Sequence, residues 1–227
     1  MRLQTVLAFV VCAAGACAQM APVVTPRGVV NAFSQLPAPS VVAPGGLLWI
    51  TGLNLGPPAG AKATGTPWPT QLGDPPVEAF IQSLSERQPR PMPLYSASPD
   101  KIVAQVPIET SVGLASVYVR RGEARSRPAS VSINRLEPSL RTVDDKGYGE
   151  AAAAAAGSAL VLSASGLGDT ELKQPVRVYV GGLPASSNTS YTADRTVEFD
   201  IQLEVPAGAL PGDVVSVVVN NRAANRA

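Results

Sequence analysis

The chain has 227 residues, of which 45% are apolar and 15% charged, with a formal net charge of +1. That composition can build a packed core, and it lacks the basic footprint of a nucleic-acid binder, so no nucleic-acid partner is expected. Histidine is absent, which excludes serine–histidine–aspartate and cysteine–histidine catalysis and histidine-ligated metal sites.

The first residues read as a targeting segment. Met1 and Arg2 give a positive start, residues 3–16 are almost wholly apolar, and Ala16-Cys17-Ala18 fits the small-x-small cleavage rule. A signal peptide over 1–18 is expected, with Gln19 as the mature start and a secreted or cell-surface product. The apolar run is too short for a lasting membrane span, and no other stretch approaches the roughly 20 apolar residues that a transmembrane helix needs. A lipid anchor on Cys17 is the alternative, although Ala14 stands where such signals favour leucine. Both cysteines, Cys12 and Cys17, lie in this segment, so the mature chain has no disulfide and relies on its cores.

Beyond the leader, PGGLLWITGLNLG (44–56) recurs as AGSALVLSASGLG (156–168). At this offset of 112, Leu48 meets Leu160, Ile50 meets Leu162 and Leu55 meets Leu167. PVEAFI (76–81) then matches PVRVYV (175–180) at an offset of 99. The same offset relates IVAQVP (102–107) to IQLEVP (201–206), and 113–127 to 212–226. One 13-residue insertion in the first copy, within GPPAGAKATGTPWPTQLGD (56–74), accounts for the change of frame. The chain is therefore an internal duplication, with units expected at 19–134 and 135–227.

Each unit reads as strands. Ala115 to Val119 and Val214 to Val219 alternate or run in β-branched residues, and Val-Pro at 106–107 and 205–206 stops a strand. Glycine (20) and proline (22) exceed their average combined usage of about 12% and supply frequent turns. Short strands between such turns predict a β-sandwich. The alanine run at 150–156 is too short for an independent helix and reads as the connection and first strand of the second unit. DDKGYGE (144–150) lacks the spacing of a calcium loop and reads as a glycine-rich turn, as do SGLGD (165–169) and GGLPAS (181–186). Asn188-Thr189-Ser190 reads as a polar turn. Glu198, Asp200, Gln202 and Glu204 fall on one side of a strand and read as its solvated face. Residues 19–134 carry nine Lys/Arg and six Asp/Glu, and 135–227 eight and eleven, so the units differ in sign at +3 and −3.

The strings GVVNAFS, VVAPGGLLWITGLNLG, LYSASPDKIVAQVP and GYGEAAAA together resemble a recurrent module of secreted acidobacterial proteins. Its halves are similar to the IPT/TIG class of immunoglobulin-like domains, and the resemblance covers about residues 28–227. It implies an all-β chain of two tandem immunoglobulin-like β-sandwiches, located outside the cell, with no established catalytic residues to carry over. The chain departs from that pattern in the charged segment SLSERQPRP (83–91). It also departs in the second unit, which shows no counterpart of the final strand PASVSINR (128–135).

No catalytic residue, cofactor or metal is expected. The candidate interaction residues are Trp49, Trp68, Arg120, Arg121, Arg125 and Arg127. Trp49 lies on the strand face opposite Leu48 and Ile50, open to a partner or to cover by its own 57–75 insertion. Trp68 sits in that insertion, and the arginines cluster at the turn between the last two strands. The expected function is a non-enzymatic extracellular binding or spacer module, acting through loops and strand edges on a cell-surface protein or polysaccharide. One alternative is an assembly or adhesion subunit completed by a partner's strand. The other is a glycan hydrolase using carboxylates among Asp144, Asp145, Asp194, Glu198, Asp200 and Glu204.

Overall fold

Alternation turns these residues into strands. Every second side chain of Val77–Ser83 is buried, and in Phe199–Glu204 the apolar Phe199, Ile201 and Leu203 are buried while Gln202 and Glu204 are exposed. Successive side chains of a strand point to opposite faces, so a period of two covers one face of a sheet. The computed structural model describes residues 20–156, 159–168, 175–191 and 198–225, and no helix occurs among them, so none is long and apolar enough to cross a membrane. The leader at 1–18, with Cys12 and Cys17, lies outside the described residues, as does Asp194.

The first unit is two sheets. One has the order β1 (Val23–Asn31), β3 (Leu47–Leu53), β8 (Lys101–Gln105), β7 (Leu94–Ala97) and β4 (Ala61–Lys62). The other runs β2 (Val41–Val42), β11 (Ala129–Ile133), β9 (Gly113–Arg121), β5 (Val77–Ser83) and β6 (Arg90–Pro91). A short β10 (Ala124–Arg125) folds back onto β9, and β2 lies parallel to β11. This strand order is that of an immunoglobulin-like sandwich. Leu48, Ile50, Ile81, Leu94, Ile102 and Val117 are fully buried between the sheets.

The second unit repeats the plan with fewer strands. One sheet has the order β12 (Ser139–Leu140), β14 (Ala159–Ser165), β18 (Phe199–Glu204) and β17 (Ser187–Tyr191), with β13 (Ala153–Ala156) also paired to β14. The other is β16 (Leu183–Ala185), β15 (Val176–Val180), β19 (Val215–Val219) and β20 (Arg222–Ala223). Its core holds Leu140, Leu162, Leu167, Phe199, Ile201 and Val217. Among the described residues it has no counterpart of β2 or β11. In the first core those strands bury Val42, Val131 and Ile133. Accordingly Leu160, expected to be core like Leu48, is only partly buried.

Strand pairing carries the duplication. Leu48 opposite Ala104 and Ile50 opposite Ile102 are matched by Leu160 opposite Leu203 and Leu162 opposite Ile201. The last hairpin departs from the expected offset. Ala79 faces Val119, and Val178 faces Val217, so the offset is 99 on the first strand (178 − 79) and 98 on the second (217 − 119). The expected match of 113–127 to 212–226 is therefore out by one residue. Because side chains alternate, that slip exchanges the two faces of the strand. Asn188-Thr189-Ser190, read as a turn, lies within β17.

The sheet edges differ most between the copies. β1 runs along β3 with a bulge between Val24 and Val29. In the second unit β12 and β13 share that edge of β14, and residues 141–152 leave between them. A bridge from Thr142 to Ala151 closes the neck of this excursion. DDKGYGE is its tip, a glycine-rich turn as its composition indicates, and the alanine run returns as strand β13.

Candidate functional site

The outward face of the β3–β8–β7 sheet forms a floor. Trp49 and Val103 are directly paired there, and Lys101 lies one step along β8 on the same face. The Lys101 ammonium sits 4.2 Å from the centre of the Trp49 ring, a cation–π contact that desolvates one ring face. Trp49 is half-buried and packs with Trp68 against Ala32, Phe33 and Leu47. Trp49 and the insertion's Trp68 thus share one small apolar cluster.

The insertion makes one wall. Prolines fix its backbone and remove donors, and β7 supplies the hydrogen bonds that hold it. Leu94 N–H donates to the Pro69 carbonyl at 2.8 Å, and Ala63 N–H to the Tyr95 carbonyl at 2.9 Å. Trp68 is thereby brought against Tyr95, with ring centres 5.0 Å apart and tilted by 46°. Lys62 holds its ammonium 4.8 Å from the Tyr95 ring centre.

The second unit makes the other wall. Arg141, at the root of the excursion, donates to Glu198 at 2.7 Å and lies 3.7 Å from Asp145. Its guanidinium stacks over Phe33 of the first unit, 4.9 Å from the ring centre. Phe33 is aimed by an Asx turn: the Asn31 side-chain oxygen accepts from Phe33 N–H at 2.9 Å, while its amide donates to Ser139 of the second unit at 3.2 Å. The excursion closes on the first unit at Gly147, whose backbone has φ +78° and touches the Ser34 carbonyl so closely that any Cβ would collide with it. The Thr142 hydroxyl accepts from Gly147 N–H at 3.1 Å, and the Asn225 amide donates to the Gly147 carbonyl at 2.9 Å. At the loop tip the Asp144 carboxyl is held below its ordinary value, first by the Lys146 side chain and then by the Lys146 N–H.

Between floor and walls lies a cleft of about 530 Å³, reaching from Trp68 and Tyr95 to Arg141, Asp145 and Glu198. This volume is in the range of roughly 300–1,000 Å³ usual for ligand sites. Trp49 and Trp68 line it. Arg120, Arg121, Arg125 and Arg127 do not; they stand on β9, β10 and the strand exit in the other sheet. Arg120 donates to Glu78 at 2.6 Å, and Arg125 lies 3.5 Å over Tyr118, which stacks on Phe80. Three of the four arginines thus cover or end their own sheet, and Arg127 is exposed.

Glu198 departs from the solvated face expected for it, being buried and paired with Arg141. Of the described carboxylates named for hydrolysis, Asp145 and Glu198 line the cleft. Sequence reasoning also passed over Phe33, Tyr95, Lys101 and Arg141. For Lys101 a signal existed, since period-2 counting along β8 places it on the same outward face as Val103.

Neither a family model nor a curated protein matches the chain. Solved structures similar to it include a Bacteroides ovatus mixed-linkage glucan utilization locus SGBP-B in complex with a mixed-linkage heptasaccharide. That likeness has 13% identity and a TM-score of 0.34, over 87% of this chain and 44% of that one. Domains 5–6 of the S-layer protein SbsC give 10% identity and a TM-score of 0.29, over 91% and 96% of the two chains. The FN1–FN3 domains of chicken CNTN1 give 10% and 0.27, over 91% and 63%. The chain thus spans less than half the length of the first of these. Likeness of this degree carries nothing beyond the all-β architecture visible in the strands.

Proposed function

We propose that this chain is an exported, non-catalytic binding module, built of two IPT/TIG-like domains at 19–134 and 135–227, that holds its ligand in the cleft where they meet. One observation carries this reading. The features that distinguish the two copies converge on the cleft: Trp49, which replaces Val161, the 57–75 insertion with Trp68, and the 141–152 excursion with Arg141. The leader at 1–18 and the acidobacterial resemblance support a secreted or cell-surface location.

The test is retention of the mature protein on native envelope and polysaccharide fractions. The parent chain is expected to be retained, and Trp68→Ala to lose most of that retention while keeping its melting transition. Equal retention of both proteins would overturn the assignment to the cleft.

A second reading rests on β19. Its edge toward residues 211–215 has no paired strand among the described residues, whereas β11 covers that edge in the first unit. An unpaired edge can accept a strand from a partner. Light scattering across a concentration series distinguishes this assembly role, which requires a species larger than a monomer or capture of a partner strand.

A further inference from the structure

We infer that the cleft ligand is an acidic saccharide, with its sugar ring against Trp68 and Tyr95 and its carboxylate on Lys101. This inference rests on reading the cleft as a ligand site. The two walls carry different charge. On the second-unit side Arg141 is engaged by Glu198 and Asp145, so no net positive charge remains there. On the first-unit side Lys101 lines the cleft beside the aromatic pair, its ammonium lying over the Trp49 ring, and it has no ion-pair partner among the described residues. An anionic group entering the cleft is therefore drawn to the Trp49–Tyr95 end and repelled from the Asp145 end.

The remaining surface suits a polyol. The Trp68 and Tyr95 rings offer apolar faces for the C–H side of a pyranose, while the Ser96 hydroxyl and the half-exposed Asp145 carboxylate can take hydroxyl hydrogen bonds. A purely apolar ligand would bury the Lys101 ammonium with no compensating ion pair, which is costly. A nucleic-acid strand would place phosphates along the whole cleft, including the carboxylate end. One carboxylate with several hydroxyls is the chemistry that satisfies both walls.

Calorimetric titration of the full mature chain tests this with oligogalacturonide, alginate and hyaluronan fragments and the carboxyl-reduced counterpart of each. At least one acidic fragment is expected to bind roughly tenfold tighter than its reduced form at low salt, an advantage that shrinks as salt rises. Lys101→Gln should remove roughly three- to fivefold of that preference while leaving the reduced form unaffected, and Lys101→Arg should keep it. Trp68→Ala should weaken both forms roughly 30-fold, and Trp68→Phe less so. Equal affinity for acidic and reduced forms, or a preference unmoved by Lys101→Gln, overturns the inference. So does absence of binding to every fragment; if Trp68-dependent retention on envelope fractions persists in that case, the cleft remains the binding site and only the ligand class is wrong.

Discussion

The two units start from one strand plan and diverge at their edges. The first flanks β9 with β11 and seals its sandwich with β2, so its core is closed and its outer face is free to carry Trp49 and Lys101. The second lacks both strands among the described residues, and instead lengthens the edge of β14 into an excursion that reaches its neighbour. Variation at the edges leaves the shared pairing of β3 with β8 and β14 with β18 untouched, because a strand edge accepts insertions that a core does not. One copy became a platform and the other supplied a wall.

The largest effect that separates the copies should come from equivalent leucines. Leu48→Ala removes a fully buried side chain and is expected to cost about 3–4 kcal/mol. Leu160→Ala, at the matching but partly exposed position, should cost about 1–2 kcal/mol. Denaturant titrations of both variants measure the gap, and equal costs would mean that the second core is as closed as the first.

Arg141→Ala is next. It leaves the buried Glu198 without its guanidinium, at a cost of about 2–3 kcal/mol, below that of a fully buried pair because Arg141 is partly exposed. Thermal unfolding should show the loss in the second unit, and Arg141→Lys should recover only part of it.

A smaller loss, about 1–3 kcal/mol, is expected for Gly147→Ala, because a side chain there meets both a left-handed backbone and the Ser34 carbonyl. Small-angle scattering should register a changed angle between the units with each core intact. An unchanged scattering profile would show that Gly147 does not set their approach.

The smallest effect is the acid dependence that Glu86 gives the first unit. Burial tends to raise the Glu86 carboxyl, but the Ser111 N–H and Arg90 outweigh it and hold the group below its ordinary 4.5. A carboxyl depressed on folding contributes stability that is complete above that value and is lost as pH falls through the lower, folded one. Stability should therefore fall below pH 4.5, and Glu86→Gln should flatten that part of a melting profile.

The duplication and the strands were legible because alternation and β-branched residues state them locally. Strand β19 was misaligned by one residue because four of its five residues are valine, so sequence similarity cannot tell an offset of 98 from 99, whereas the facing pairs Ala79–Val119 and Val178–Val217 can. The outward aim of Trp49 could be counted along its strand. The cleft could not: Arg141 and Glu198 are 57 residues apart (198 − 141), and they meet Phe33 only because the excursion bends back to Ser34. The opposite net charges of the units likewise said nothing of the local arrangement, in which an arginine of the acidic unit stacks on a phenylalanine of the basic one.

Trp49 and Trp68 are the two tryptophans of the whole sequence, and both line the cleft. Intrinsic fluorescence excited at the red edge, where tyrosine is silent, therefore reports on this one place without a label. Moving the Lys101 ammonium off the Trp49 ring would change the emission, giving an optical readout of occupancy built into the chain.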